Sequence, residues 1–174
     1  MPTASTQIDE LPVPDRMSST TPLAGFAGLY ERHYETVFRT ALRVTGNPAD
    51  AEDVVQTVFM RLLARGADDA LPAAYFKRAA ANAAVDVLRR RELHAESVYD
   101  EAAPQLAVQP PGLLKERLRR ALASLDSDDA SLFVLRHVEG LTIEELAGMF
   151  ELEKNNVAVR LHRIRRRLQT ELQR

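Results

Sequence analysis

Apolar residues recur at helical spacing through most of the chain, and no segment alternates with period two, so the pattern predicts an all-helical protein. Phe26, Leu29, Tyr30, Tyr34, Val37, Phe38 and Leu42 trace one face of a first helix, which Gly46 can end in the left-handed conformation. Asn47 then caps a second. Pro48 suits its first position, and Asp50, Glu52 and Asp53 sit where the positive end of the helix dipole favours acids. Ala51, Val54, Val55, Val58, Phe59 and Leu62 form the expected buried face. The segment ARGADDALP reads as a loop, and Pro72 opens a third helix with Phe76, Ala79, Ala80, Ala83, Val87 and Leu88 as its apolar stripe. Lys77, Arg78, Asn82, Arg89, Arg90 and Arg91 are left for its surface or edges.

Residues 95–112 hold three prolines and several acids without a sustained period, and read as a flexible linker. A second set of helices follows. The first carries Leu113, Leu114, Leu118, Leu122 and Leu125, and Asp126 or Ser127 can cap the next, which bears Leu132, Val134, Leu135 and Val138 before Gly140. Thr142 and Glu145 have the spacing of a capping box at the start of a short helix. The last helix buries Val157, Leu161, Ile164, Leu168 and Leu172. Its basic residues Lys154, Arg160, Arg163, Arg165, Arg166 and Arg167 stand with no acid among them. A short capped helix, a tight turn and a helix with a basic outer face predict a helix-turn-helix that meets duplex DNA. Residues 1–24, rich in Ser, Thr and Pro, read as a flexible tail. The expected organisation is two small helical domains, 25–94 and 113–174, joined by that flexible linker.

Composition narrows the chemistry. With 174 residues, 45% hydrophobic and 28% charged, the chain has the makeup of a soluble globular protein, and a net charge of −2 argues against one that coats nucleic acid indiscriminately. There is no cysteine, and His33, His94, His137 and His162 lack ligand spacing, so neither a metal site nor a cofactor is expected. No paired carboxylates, phosphate-binding glycine loop or nucleophile–base set marks an enzyme. An acidic, Pro-broken N-terminus and the lack of a membrane-length apolar run point to the cytoplasm, without membrane insertion.

Three motifs, ADAEDVVQTVFMRLL, AAYFKRAAANAAVDVLRRR and LFVLRHVEGLTIEELAGMF…VAVRLHRIRRRL, occur in one order with a linker between the second and third. From about Phe26 to Leu168 the chain resembles the two-domain bacterial sigma factors of the extracytoplasmic-function group. The resemblance implies a subunit that binds RNA polymerase core, directs it to promoters, helps open the DNA, and works in the cytoplasm at the nucleoid. Residues 25–94 would serve core and the minus-ten element, and 113–174 the minus-thirty-five element.

By that resemblance Asp53, Gln56 and Thr57 would meet the clamp of the largest core subunit. Asp50 and Glu52 are accounted for by the helix dipole alone. The loop near 64–71 would hold a base flipped from the melted strand, with Tyr75, Lys77, Arg78 and Asn82 beside it and Arg89 and Arg90 on phosphates. Tyr75 fits a core position as well as a stacking one. Asn155, Asn156, Val159, Arg160 and Arg163 would enter the major groove, where Asn pairs with adenine and Arg with guanine, while Arg166 holds phosphate.

The chain departs from the family pattern at several places. Glu151 stands where the turn glycine is common, Asn155–Asn156 replace Gly-Thr, Ala158–Val159 replace Lys-Ser, and Ala81 replaces an Arg. Thr57 offers a hydroxyl where an acid is usual, which makes it a phosphorylation candidate for a Ser/Thr kinase. The simpler account is a tolerated polar substitution beside Asp53 and Gln56. An anti-sigma factor is a further candidate partner. The alternative function is a helix-turn-helix regulator that binds duplex DNA without acting as a sigma subunit.

Overall fold

The computed structural model describes residues 22–66, 71–98 and 112–173. They form seven helices: α1 (Pro22–Thr45), α2 (Pro48–Arg65), α3 (Ala73–Val98), α4 (Leu113–Ala123), α5 (Ser127–His137), α6 (Ile143–Phe150) and α7 (Lys154–Gln173). No strand occurs among the described residues. The expected tail lies outside them up to residue 21, and most of the expected linker, 99–111, does as well.

Local chemistry sets the helix ends. Asn47 Oδ1 accepts from the backbone of Ala49 at 2.8 Å and Asp50 at 3.4 Å, satisfying donors that α2 leaves free. The carboxylate of Asp126 accepts from Asp129 N at 3.0 Å at the start of α5. Thr142 and Glu145 form the reciprocal capping box at α6. Gly46, at φ +68°, ends α1 and donates to Leu42 O at 2.8 Å. Two ends differ from the sequence expectation. α1 begins at Pro22, because proline is tolerated in a first turn. α3 runs to Val98, past the expected boundary at 94, since ELHAESV contains no helix breaker and Glu92 is held by Arg120 at 3.1 Å.

α3 is the central element. α1 and α2 of the first half and α4 and α5 of the second all pack against it. α7 closes the second set against α4, α5 and α6. Phe76, fully buried, stacks on His33 at 3.9 Å between ring centroids and lies 5.9 Å from Phe59, so one side chain ties three helices together. Burial of such a side chain contributes about 1.5–3 kcal/mol. Its central position buries α3 on more than the expected stripe: Ala81, Ala84 and Val85 are inaccessible as well. Four of the polar residues expected on its surface, Lys77, Arg78, Asn82 and Arg89, are therefore drawn into the contact between the two halves, while Arg91 pairs with Asp50 of α2.

Candidate nucleic-acid and polymerase interfaces

The helix-turn-helix comprises α6 and α7. Its turn passes through Glu151 at φ 55°, ψ 42°, the left-handed conformation that L residues other than Asn and Asp adopt at a cost. Leu152 N returns to Ala147 O at 3.0 Å, and Leu146, Val157, Leu161, Ile164 and Leu168 bury the inner faces. Outward, Asn155, Asn156, Val159, Arg163 and Arg166 form one exposed row along α7. Arg160 is set apart from that row. Its guanidinium pairs with Asp129 and lies 3.6 Å from Asp126, with a side chain one-third exposed. Burial pushes the Asp129 carboxyl up, against the pull of Arg160, while the backbone N–H of Asp129 holds Asp126 low. Arg160 is thus engaged with the start of α5, a contact that sequence spacing does not reveal.

On the first half, Asp53 and Gln56 are exposed on α2 and Thr57 is half-buried. The three share a concave surface of about 700 Å³ with Met60, Arg61, Arg90, Arg91 and His94. Met60 is two-thirds exposed, and Leu63 projects from the same helix. These two apolar residues were not foreseen as part of a site. Their signal in the sequence is a hydrophobic residue outside the periodic buried stripe.

Tyr75, Arg78 and Asn82 come together in a cleft of about 330 Å³ between α2 and α3, with Arg61 and Arg65 on its other wall. The ring of Tyr75 meets Phe76 edge-on at 5.4 Å and is half-buried. Arg61 and Arg65 were also not anticipated, although their i,i+4 spacing places them on one side of α2. An aromatic ring, an amide and three guanidinium groups around a cleft match what a single strand requires: a surface to stack on and cations for phosphate.

Lys77, Arg78, Asn82 and Arg89 of α3 also reach the second half. Lys77 lies 3.8 Å from Glu139, and Ser131 donates to Asn82 Oδ1. Arg78 donates to Met149 O at 2.6 Å, with its guanidinium 4.2 Å from the centre of the Phe150 ring. Arg89 donates to Ala123 O and Leu125 O at 3.3 and 2.6 Å. Arg90 stays exposed. No group of three or more metal-ligating side chains occurs among the described residues, and no described helix is long and apolar enough to cross a membrane.

Comparison with known proteins identifies the frame around these sites. Residues 29–93 match the model of sigma-70 region 2, and residues 115–168 match that of sigma-70, region 4. The chain belongs to the sigma-70 family, in its extracytoplasmic-function group. It is 32% identical over 147 residues to the RNA polymerase sigma-E factor of Streptomyces avermitilis, covering 80% of each chain. It is 29% identical over 151 residues to the ECF RNA polymerase sigma factor SigE of Mycolicibacterium smegmatis, covering 80% of this chain and 58% of that relative's length. The solved structure of CnrH in complex with the cytosolic domain of CnrY has the same fold, at TM-score 0.52 and 24% identity, covering 88% of this chain and 90% of that one.

Proposed function

We propose that this chain is a sigma factor that docks on RNA polymerase core, directs it to promoters and helps open the DNA. The observation that carries the reading is the presence of two different DNA-suited surfaces on one chain. α7 offers an exposed row for the major groove, and the cleft between α2 and α3 offers an aromatic and cationic site for a melted strand. A duplex-binding regulator has use for the first surface alone.

In this reading Asp53, Gln56 and Thr57 on α2 meet the clamp, with Met60 and Leu63 adding apolar area. Tyr75, Arg78 and Asn82, joined by Arg61 and Arg65, hold the melted strand. Lys77, Arg89 and Arg90 take adjacent phosphates. Asn155, Asn156, Val159 and Arg163 read bases, and Arg166 holds phosphate. Arg160 reaches a base only by leaving Asp129. Phosphate on Thr57 would enter a surface lined by Arg61, Arg90 and Arg91, which suits a kinase-controlled form of docking.

Run-off transcription with purified core polymerase on a promoter library tests the proposal. Initiation at a defined subset of templates is expected, and Gln56→Ala should weaken core binding while the isolated protein stays folded. Specific duplex binding without core, combined with no open complex on any template, would overturn it in favour of a regulator.

A further inference from the structure

Two arginines of α7 turn away from its exposed row, and both go to the same place. Arg167 donates to Ser124 O at 2.9 Å, and Arg160 pairs with Asp129 and lies 3.6 Å from Asp126. Ser124, Asp126 and Asp129 belong to the corner at which α4 gives way to α5. Arg163 and Arg166, which stay in the exposed row, pair with no acid among the described residues. The arginines of α7 are thus divided between open solvent and the corner.

Arg160 is the one whose capture bears on base reading. At 100° per residue it stands roughly 40° around the helix from Asn156 and roughly 60° from Arg163, at the edge of the exposed row. Along the axis it is about 6 Å beyond Asn156, or about two base-pair steps. An arginine so placed can swing into a major groove beside Asn156 and take both acceptors of a guanine. Charge holds it elsewhere. Nε faces Asp129 and Nη2 faces Asp126, so two of its three guanidinium nitrogens are turned to the corner. Asp126 is committed as the cap of α5, accepting from Asp129 N at 3.0 Å, and its charge lies beside that of Asp129. Departure of Arg160 would leave two neighbouring carboxylates, one of them only 21% exposed, without their cation.

We propose that Asp129 is a specificity-determining residue for the upstream promoter element: by holding Arg160 against the start of α5, it withdraws a guanine-reading side chain from the groove. Asp129 is a positioning residue, acting through Arg160 without touching DNA. The proposal rests on the sigma-factor reading and deepens the part of it that concerns α7. Beside the captured arginine the exposed row offers Asn155, Asn156 and Val159, two amides and an apolar side chain, a set that suits A·T pairs. Release of Arg160 adds a preference for guanine to that set.

Asp129→Asn keeps the shape of the side chain and the backbone bond to Asp126, and removes the charge that holds Arg160. Holoenzyme made with each variant is run on templates randomised across the upstream element. Base preference is read as a ratio of transcripts, which a lower folded fraction does not move. Asp129→Asn should gain about fivefold or more for guanine, the low end of a bidentate contact, within about two base pairs of the position that Asn156→Ala alters. Asp129→Asn with Arg160→Ala should lose that gain. Asp129→Glu, which keeps the charge, and Arg160→Ala alone should both read as wild type there. No gain of guanine in an Asp129→Asn holoenzyme that initiates would overturn the proposal. Where Asp129→Asn is too unstable to assemble, Arg160→Ala decides: an unchanged preference upholds the capture, and a changed one overturns it. The capture is also read without polymerase. In nitrogen-15 NMR of the free chain, the Arg160 Nε–H, assigned by its loss in Arg160→Ala, should be protected from exchange and should lose protection in Asp129→Asn. An unprotected Nε–H in wild type overturns the proposal whether or not transcription starts, whereas failure of wild type to initiate with core sinks the sigma-factor reading instead.

Discussion

Glu151→Gly should stabilise the helix-turn-helix half of the protein. Glu151 holds φ 55° and is the one described non-glycine residue with positive φ. An L residue in that conformation is strained by about 1–2 kcal/mol through contact of its Cβ with backbone. The Glu151 side chain makes no hydrogen bond or ion pair among the described residues that would offset this, and its backbone N–H bond to Ala147 O survives the change. Glycine removes the strain but adds unfolded-state freedom that costs about 0.4–1 kcal/mol. The net gain is about 0.5–1 kcal/mol, which in a unit of this size raises the melting temperature by roughly 2–8 °C. Urea and thermal unfolding followed by circular dichroism would measure it, with Glu151→Ala as control. Alanine keeps the Cβ and so should give no gain. Equal stability of the Gly and Ala variants, or a loss on Glu151→Gly, would refute the strain account and require the Glu151 carboxylate to support the turn in some other way.

Three further outcomes are expected. Arg160→Ala should destabilise the second half by about 1–2 kcal/mol, less than a fully buried charged hydrogen bond because Arg160 is one-third exposed; a double-mutant cycle with Asp129→Ala giving zero coupling energy would show the pair to be idle. Stability should fall as pH drops below about 6.5, because burial, and then Arg32, lower the His33 pKa in the fold, so that the unfolded chain takes up the proton first. His137 shifts the same way, by burial and then by Arg165 and Arg136; His33→Gln should remove part of the slope and His33→Gln with His137→Gln more of it, and an unaltered slope in the double variant would reject both groups. In holoenzyme, Asn156→Ala should change base preference in the upstream element by about 1–3 kcal/mol, whereas Arg166→Ala should weaken all sequences alike and lower the salt slope by roughly one phosphate; the reverse pattern would rotate α7 in the groove.

Much of this protein is local, and local features are legible in a sequence. Helix faces follow from spacing, and ends from short-range donors and acceptors: Asn47, Asp126 and the Thr142–Glu145 pair cap as their positions imply. The exposed row on α7 follows in the same way, because a buried stripe at one side of a helix leaves the opposite side to water. What spacing cannot supply is the identity of the neighbour across space. α3 has one apolar stripe by periodicity, yet tertiary packing sets four helices against it and buries Ala81, Ala84 and Val85 as well. Arg78, Asn82 and Arg89, polar and assignable to solvent from sequence, are thereby held by Met149, Ser131 and the end of α4. Arg160 shares the basic pattern of α7, but its ion pair with Asp129 joins residues 31 apart. Gly46 reads as a helix stop at any sequence distance. Only the fold seats Arg119, 73 positions onward, in the space its missing side chain leaves, because the energy of that contact resides in two helix ends brought together by packing that neither encodes alone.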